Sequence, residues 1–417
     1  MKHELFGRPL AYYQERQCRN TAAEIAQQPA LWKRLVKELT GQKREIEAFM
    51  ETVSQEKRLR IVTTGAGSSA FIGETFQFLL AEELGIYTEN VHTTDIISAP
   101  EGVLFDIPTL LISYARSGES PESIAAVQFA EQRISKLFQI IFVCDTESSL
   151  AKAGYQMEGA LVIGMPPESC DKGFAMTSSV SCMSIATWCV FHYQELEQYA
   201  GYVNALAESV AEQIDGLAES ARQIAKEPYR RIIWLGTGPL KGLAREAAVK
   251  SMELSNGYVH AGYDGAAAFR HGPKTVINEE TLTVHFLSEN EYSRNYDLDL
   301  AREVIREKQQ NLVAIVRPEA DGMNLAGRDY EAVYRLPKCL PQNSGMGAYL
   351  FSLVFSQLLS MEKSLELGCT TDNPCPKGEV NRVVQGVVIY QLPQKQKQSA
   401  AASIWHTGQK QADTGPN

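Results

Sequence analysis

Three charged residues in the second half of the chain have types and spacing suited to proton transfer. Glu246, Lys250 and Glu253 lie at positions i, i+4 and i+7, so a helix would place them on one stripe. On an exposed helix such a stripe is a solvated salt-bridge ladder that contributes about 0.3–0.5 kcal/mol per pair. The alternative is a site in which two carboxylates flank an ammonium. The surrounding sequence favours the site, because a strand and a glycine turn precede the helix and a histidine loop follows it.

The histidine of this loop is His271, in the sequence FRHGP at positions 269–273. The Gly-Pro pair after it restricts the backbone, and a histidine titrates close to neutral pH. Such a residue near acidic and basic groups is suited to general acid-base catalysis. We therefore place the chemistry in residues 246–273 and expect the remaining chain to bring a substrate to them.

Two serine-rich loops in the first half are candidates for binding an anion. GAGSS at 65–69 contains Ser68 and Ser69, and RSGESPES at 116–123 contains Ser117 and Ser120. Each loop follows a predicted strand and begins a predicted helix, where free N–H groups favour a phosphate. Helix capping explains either loop alone, but two in one domain favour phosphate binding. Arg116 either contacts that phosphate or pairs with Glu119, and the sequence leaves both open.

An internal repeat predicts the architecture that positions these loops. Residues 58–74 consist of a strand, a G-x-G turn and a helix start, and residues 230–246 repeat that plan. Later strands and helices of the first half recur in the same order in the second half. Alternating strands and helices predict a mainly parallel sheet covered on both faces. The sequence thus predicts an α/β protein with two similar three-layer αβα domains.

The repeat also divides the chain into four parts. We predict a helical N-terminal extension at 1–56, a phosphate-binding domain at 57–205, a domain with the acid and base groups at 206–392, and a flexible tail at 393–417. In the extension the apolar residues recur near a helical period, with interruptions expected at Pro29 and Gly41. The second-domain loops that match the serine loops contain proline or acidic residues, which suggests that only the first domain binds phosphate.

Composition excludes several classes of partner. The net charge is −10, and no cluster of Lys and Arg could follow a phosphate backbone, so we expect neither nucleic acid nor an anionic membrane as a partner. The eight cysteines occur singly without a C-x-x-C or Cys/His cluster, which favours reduced thiols in the cytoplasm over disulfides or zinc. No signal-peptide or membrane-spanning segment is predicted.

Several of these motifs, in this order, resemble a known family. GAGSS, ARSGES, E-x-x-x-K-x-x-E and FRHGP are similar to those of double sugar isomerase (SIS) domain proteins, over residues 58–390. The chain resembles the isomerase half of glucosamine-6-phosphate synthase. It resembles still more the galactosamine-6-phosphate deaminase/isomerase family, formerly called tagatose-6-phosphate ketose/aldose isomerases. FAMTSS at 174–179, FRHGPK at 269–274 and DNPCPKGEVNRVVQG at 372–386 carry that second resemblance.

The resemblance implies a role for each motif. It implies that Glu253 moves a proton between C2 and C1, that Lys250 assists at the hydroxyls, and that His271 opens the sugar ring from a neighbouring subunit. The C-terminal segment containing Gln385 matches the tail that closes the site in relatives, although the synthases have a lysine opposite Gln385 and form a Schiff base with it. The residues implied to hold the phosphate are Ser68, Ser69, Ser117 and Ser120.

The resemblance therefore predicts an enzyme that converts D-galactosamine 6-phosphate into D-tagatose 6-phosphate and ammonium. It implies a small sugar phosphate as ligand and a homodimer or higher oligomer with shared active sites. The residue types need neither a metal nor another cofactor for this chemistry. Two alternatives stay open: an aldose-ketose isomerase that does not release an amine, and a sugar-phosphate sensor of the same fold.

Overall fold

The computed structural model describes residues 4–307, 310–319, 324–378, 380–382, 384 and 386–392. The N-terminal part forms a small hairpin and three helices. Their bounds are β1 (Glu4–Leu5), β2 (Arg8–Pro9), α1 (Leu10–Glu15), α2 (Arg19–Gly41) and α3 (Lys43–Ser54).

Helix α2 continues through Pro29, where the sequence predicted an interruption, and it ends at Gly41 as expected. A proline has no N–H to donate to the carbonyl four residues earlier. Here that carbonyl belongs to Ile25, and the Gln28 side-chain amide donates to it at 3.2 Å instead. Because the freed acceptor is satisfied locally, the helix tolerates the proline.

The first half of the chain alternates strands and helices around a five-stranded parallel sheet. The strands lie in the order β4-β3-β5-β6-β7. The elements are β3 (Arg60–Thr64), α4 (Ser68–Leu84), β4 (Thr88–Asn90), α5 (Thr93–Ser98), β5 (Thr109–Ala115), α6 (Pro121–Arg133), β6 (Leu137–Val143), α7 (Ser149–Gln156), β7 (Ala160–Gly164) and α8 (Ser178–Phe191).

A 30-residue helix, α9 (Leu196–Ala225), leads to a second parallel sheet of the same topology, in the order β9-β8-β10-β11-β12. The predicted domain boundary after residue 205 falls inside α9 and stays a prediction. The elements of the second half are β8 (Arg231–Leu235), α10 (Pro239–Leu254), β9 (His260–Asp264), α11 (Ala266–Phe269), β10 (Thr281–Phe286), α12 (Glu291–Arg306), β11 (Leu312–Pro318), β12 (Tyr330–Tyr334) and α13 (Met346–Glu366).

Alternate residues of each central strand face different hydrophobic cores, as the two-residue period of a strand requires. On β5, Leu110 and Ile112 face a core shared by both halves, whereas Leu111 faces an outer core of the first half. On β8, Trp234 faces the shared core and Ile233 faces an outer core of the second half. Each sheet is therefore covered on both faces, which confirms the predicted three-layer αβα arrangement.

The edge strands β4 and β9 were missed in the sequence. Residues 260–264, HAGYD, belong to a Gly-, Tyr- and Ala-rich stretch whose composition predicts a loop, because it lacks the β-branched residues typical of strands. In the structure they pair in parallel with β8, as β4 pairs with β3. Pairing with a neighbouring strand overrides the weak local preference.

Candidate functional site

The first part of the site forms where helix α10 of the second half meets the start of helix α4 of the first. The Lys250 ammonium is fully buried and donates to Ser68 Oγ at 2.8 Å and to Glu253 Oε2 at 2.6 Å. It also lies 3.4 Å from Glu246 Oε1. The Glu246 side chain is 2% exposed and that of Glu253 is 33% exposed. Of the two carboxylates, Glu253 is the one that can reach a ligand.

The charges of this cluster depend on one another. Burial lowers the pKa of Lys250, but the carboxylates of Glu246 and Glu253 outweigh that effect and raise it overall. Burial raises the pKa of Glu246. Lys250 is therefore an ammonium held between two carboxyl groups, as the surrounding sequence predicted, and the alternative of an exposed ladder does not apply.

A close helix crossing brings these groups together. An added Cβ at Gly242 of α10 would lie 2.6 Å from the backbone nitrogen of Thr75 in α4, so a larger residue would push the helices apart. The turn before α4 needs Gly67, whose φ of 56° is unfavourable for other residues. These two glycines set the distance between Lys250 and Ser68.

The second part of the site is a cavity of about 120 Å³ at the carboxyl ends of strands β3 and β5. It brings together most of the predicted phosphate-binding residues, which come from both serine-rich loops. Its polar lining consists of Ser69, Arg116, Ser117, Ser120, Ser123 and Arg382. Ser68 differs from the other predicted serines because its hydroxyl accepts a hydrogen bond from Lys250.

The second serine loop has a specific backbone. Gly118 has a φ of 65°, and a Cβ there would lie 2.2 Å from Ser148 Oγ. Pro121 begins helix α6, as predicted, and Ser120 lies at the N-cap position. The Ser120 side chain does not cap the helix; its hydroxyl donates to the Glu122 carboxylate instead. The simple capping interpretation therefore does not account for Ser120.

The structure rules out one interpretation of Arg116, its pairing with Glu119, whereas contact with a phosphate stays a prediction. Glu119 accepts hydrogen bonds from the Ser149 amide and hydroxyl, both at 2.8 Å, and does not pair with Arg116. The buried Arg116 guanidinium donates to the carbonyl oxygens of Phe174 at 3.3 Å and Arg382 at 2.8 Å. Burial and the charge of Arg382 lower its pKa.

Sequence reasoning missed the residue that shapes the loop before α8. The buried Asp171 carboxylate accepts hydrogen bonds from the backbone amides of Thr177, Ser178 and Ser179, and also from the hydroxyls of Thr177 and Ser179. These hydroxyl residues therefore begin a helix, as the sequence suggested, and do not face a ligand. An aspartate six residues before a Thr-Ser-Ser helix start is the signal that could have identified it.

His271 lies apart from this cluster within the chain. It is exposed in the turn after α11, and its side chain makes no hydrogen bond to Lys250 or Glu253. Its neighbours Arg270 and Lys274 both pair with Glu303 of helix α12, the first at 2.8 Å, which fixes the loop. These ion pairs hold the loop in place, and the exposed His271 side chain can contact a surface other than the Lys250 cluster.

The segment after α13 reaches the cavity from the opposite side. Asp372 accepts hydrogen bonds from the backbone amides of Asn20 and Thr21, both at 2.9 Å, and so anchors the segment to the start of α2. Arg382 lines the cavity, and Ile389 and Leu392 pack on the outer core of the first half. Gln385 and the predicted flexible tail at 393–417 lie outside the described residues.

Membrane-spanning helices and metal-ligand clusters are both absent from the described residues. No helix there is long and apolar enough to cross a membrane. No group of three His, Cys, Asp or Glu side chains in the same residues is arranged to hold a metal ion.

The first half matches a known domain model. Residues 54–193 match the model of the SIS domain. In structure, the chain is similar to the C-terminal domain of glucosamine-fructose-6-phosphate aminotransferase from Francisella tularensis, with a TM-score of 0.70 over 85% of this chain and 98% of that one. At 17% identity this similarity shows the fold alone.

Two proteins with higher sequence identity each match 89% of the chain. The D-galactosamine-6-phosphate deaminase AgaS of Shewanella sp. is 37% identical over 379 residues, which is 89% of this chain and 91% of that protein. The tagatose-6-phosphate ketose/aldose isomerase structure from Escherichia coli has 33% identity and a TM-score of 0.81, covering 89% of this chain and 96% of that one. The chain therefore belongs to the AgaS family of SIS-domain sugar-phosphate enzymes.

Proposed function

We propose that the protein converts D-galactosamine 6-phosphate into D-tagatose 6-phosphate and ammonium, in the breakdown of amino sugars. The names of its relatives supply the substrate, and one contact carries the proposal. Lys250 of the second half joins the Ser68 loop to the Glu253 carboxylate, with hydrogen bonds of 2.8 and 2.6 Å. A sugar whose phosphate lies among the serines would have its other end near a carboxylate and an ammonium.

The binding step is assigned to the first half. We assign the phosphate to Ser68, Ser69, Arg116, Ser117 and Ser120, with Gln385 on the closing C-terminal segment. Four of these residues line one cavity, and Ser68 is the direct neighbour of Ser69. Holding the phosphate there fixes the reacting carbons relative to Glu253, so that proton transfer becomes an intramolecular step.

The reaction then needs one base and one acid. After ring opening, Glu253 removes the proton from C2, and the electrons form a C1–C2 double bond. The same carboxyl returns the proton to C1 while one proton of the amine passes to the C1 oxygen, which leaves an alcohol at C1 and an imine at C2. Water adds to this imine, ammonia leaves, and a ketone remains. Lys250 stabilises the negative charge that develops at the oxygen during proton removal.

Ring opening is assigned to His271 of a second subunit, because the exposed His271 side chain makes no hydrogen bond to Glu253 or Lys250 of its own chain. This requires a homodimer or larger oligomer with shared sites. Mixing the inactive variants Glu253→Gln and His271→Asn should restore roughly a quarter of the wild-type activity, since half of the dimers are hybrids and each hybrid has one intact site. A mixture as inactive as its components contradicts a shared site.

The function is tested by measuring both products from matched substrates. The purified protein should release ammonia from galactosamine 6-phosphate at least as fast as it interconverts galactose 6-phosphate and tagatose 6-phosphate. Rapid interconversion without ammonia release would favour the plain ketose/aldose isomerase, the activity named for the E. coli structure. Comparison with glucosamine 6-phosphate determines whether the C4 configuration is recognised. We place this activity in the cytoplasm, in agreement with the singly spaced cysteines of the sequence.

A further inference from the structure

Two arginines with no charged partner meet at the phosphate cavity. Arg116 donates to the carbonyl oxygens of Phe174 and Arg382, and Arg382 donates to the carbonyl oxygen of Asp171. Both arginines line the cavity. Carbonyl oxygens satisfy donors but carry no formal charge. Neither arginine therefore donates to a carboxylate, although the charges of Asp171 and Glu253 act on Arg116 from farther away.

Two other buried arginines of the first half differ from Arg116. Arg60 is paired with Glu89 at 2.9 Å, and Arg133 is paired with Glu101 at 2.5 Å. Among the described residues, neither Arg116 nor Arg382 forms a salt bridge. The nearby Asp171 carboxylate is engaged by the amides and hydroxyls at the start of α8. Bringing like charges together in a partly buried place is unfavourable unless a counter-charge is supplied.

The two arginines belong to parts of the chain that are far apart in sequence. Arg116 directly follows strand β5, whereas Arg382 lies on the C-terminal strap, which we define as the described residues 372–378, 380–382, 384 and 386–392. The strap is anchored to α2 by Asp372 on one side of Arg382 and packs on the outer core through Ile389 and Leu392 on the other. Arg382 itself is on an exposed part of the strap. A ligand bound by both arginines would therefore contact two parts of the chain that are 266 residues apart.

We propose that Arg116 and Arg382 together select a doubly charged phosphate ester over a singly charged sulfate ester. A phosphate monoester carries between about −1.5 and −2 charges at pH 7. A sulfate ester has a similar tetrahedral shape but one negative charge. The serine hydroxyls can bind either ester, so the second guanidinium supplies the discrimination. This inference depends on the proposed function only in taking a phosphate ester as the ligand.

The experiment uses galactose 6-phosphate and galactose 6-sulfate, which have no amine to lose, and measures their binding to the full chain by calorimetry. The wild type should bind the phosphate ester at least about tenfold more tightly than the sulfate ester. Arg382→Gln should weaken phosphate binding by about tenfold or more and sulfate binding by less, because a charge-assisted hydrogen bond is lost. Arg382→Lys, which keeps the charge without the planar fork, should give an intermediate affinity.

A matched control separates this role from a general change in charge. Arg302 is exposed on α12 and lies 3.6 Å from Asp299, so Arg302→Gln removes the same charge away from the cavity. It should bind both esters as the wild type does. Hydrogen exchange provides a second readout: galactose 6-phosphate should slow amide exchange across residues 380–392 in the wild type and have less effect in Arg382→Gln.

Equal binding of the two esters by the wild type would overturn the proposal, even if Arg382→Gln failed to fold. An Arg382→Gln protein that folds and keeps the full phosphate preference would also overturn it. The deaminase assignment fails separately, if the phosphate preference is observed but galactosamine 6-phosphate releases no ammonia.

Discussion

The loops that follow the first strands in the two halves have the same backbone but different contents. Gly67 and Gly238, which precede helices α4 and α10, have φ values of 56° and 57°. In the first half the loops surround a cavity lined by hydroxyls and two guanidiniums. In the second half the Asp297 carboxylate occupies the corresponding region, where it accepts hydrogen bonds from the Thr237 hydroxyl and from the Ser288 amide at 3.1 Å.

A second carboxylate completes the contrast. Glu289 follows strand β10, as Ser117 follows β5, and it accepts a hydrogen bond from the Ala348 amide at 2.6 Å near the start of α13. Burial raises the pKa of Glu289 and raises that of Asp297 to about 6. The second half thus contains acidic groups of its own chain where the first half has room for an anion.

Helices α4 and α10 show the reverse contrast, because the acid-base groups lie on the helix of the second half. Aligning Gly67 with Gly238 matches the three charged positions of α10 with three positions of α4. The α4 residues opposite Glu246, Lys250 and Glu253 are Thr75, Leu79 and Glu82. Thr75 donates to the Pro239 carbonyl at 3.1 Å, Leu79 is part of the shared core, and Glu82 is exposed. Only one combination, the loops of the first half with the helix of the second, therefore has both anion-binding and acid-base groups.

The largest expected effect comes from removing the proposed base, Glu253, from helix α10. Glu253→Gln should reduce ammonia release from galactosamine 6-phosphate by about 10²–10⁴-fold, because amide nitrogen and oxygen cannot carry the proton from C2 to C1. Binding of the substrate should change much less. Glu82→Gln, the matched substitution in α4, should keep wild-type turnover. Wild-type turnover of Glu253→Gln would show that another group is the base.

A smaller effect is expected on stability when the buried ion pair is broken. Lys250→Met removes the ammonium and leaves Glu246 buried without it, so the free energy of unfolding should fall by about 3–5 kcal/mol. Leu79→Met in α4 preserves volume and should cost less than about 1.5 kcal/mol. Denaturant unfolding measures both changes. Adding Glu246→Gln to Lys250→Met should recover part of the loss, and no recovery would contradict an ion-pair origin.

The smallest effect concerns the carboxylate of the second half and depends on pH. Because burial raises the pKa of Asp297 from its usual 3.8 to about 6, the folded state binds more protons than the unfolded state between these values. The stabilisation from protonated Asp297 is present below about pH 4 and is lost as the pH rises through about 6. The unfolding free energy of the wild type should therefore fall relative to that of Asp297→Asn over this interval, by on the order of 2 kcal/mol. A difference that does not change with pH would contradict the raised pKa.

Most of the fold could be predicted from local patterns. Buried strands such as residues 109–115 are mainly apolar, and the repeat of strand, glycine turn and helix predicted the two parallel αβα halves. The edge strand at 260–264 could not be predicted in this way, because it forms only through pairing with β8. The continuity of α2 through Pro29 depends on one side-chain hydrogen bond from Gln28, which no periodicity reveals.

The candidate site shows the same division. The serine loops and the charged stripe on α10 were evident because their residue types are unusual at the ends of strands and on a buried helix. The contact of Arg116 with the strap was not evident, because it joins residues that are 266 positions apart. The residues adjacent to Arg116 in the sequence do not indicate a contact of this kind.

By itself the sequence determined the family, the duplicated α/β architecture and the residue types available for catalysis, since these depend on local spacing and on motif order. Only the tertiary structure decided that Lys250 binds Ser68, that Arg116 faces Arg382 rather than Glu119, and that the loops of the second half are occupied by Asp297 and Glu289. The physical reason is that these contacts join charged and hydrogen-bonding groups that are distant in sequence. Such groups come together only when the chain folds, as Lys250 and Ser68 do where α4 crosses α10.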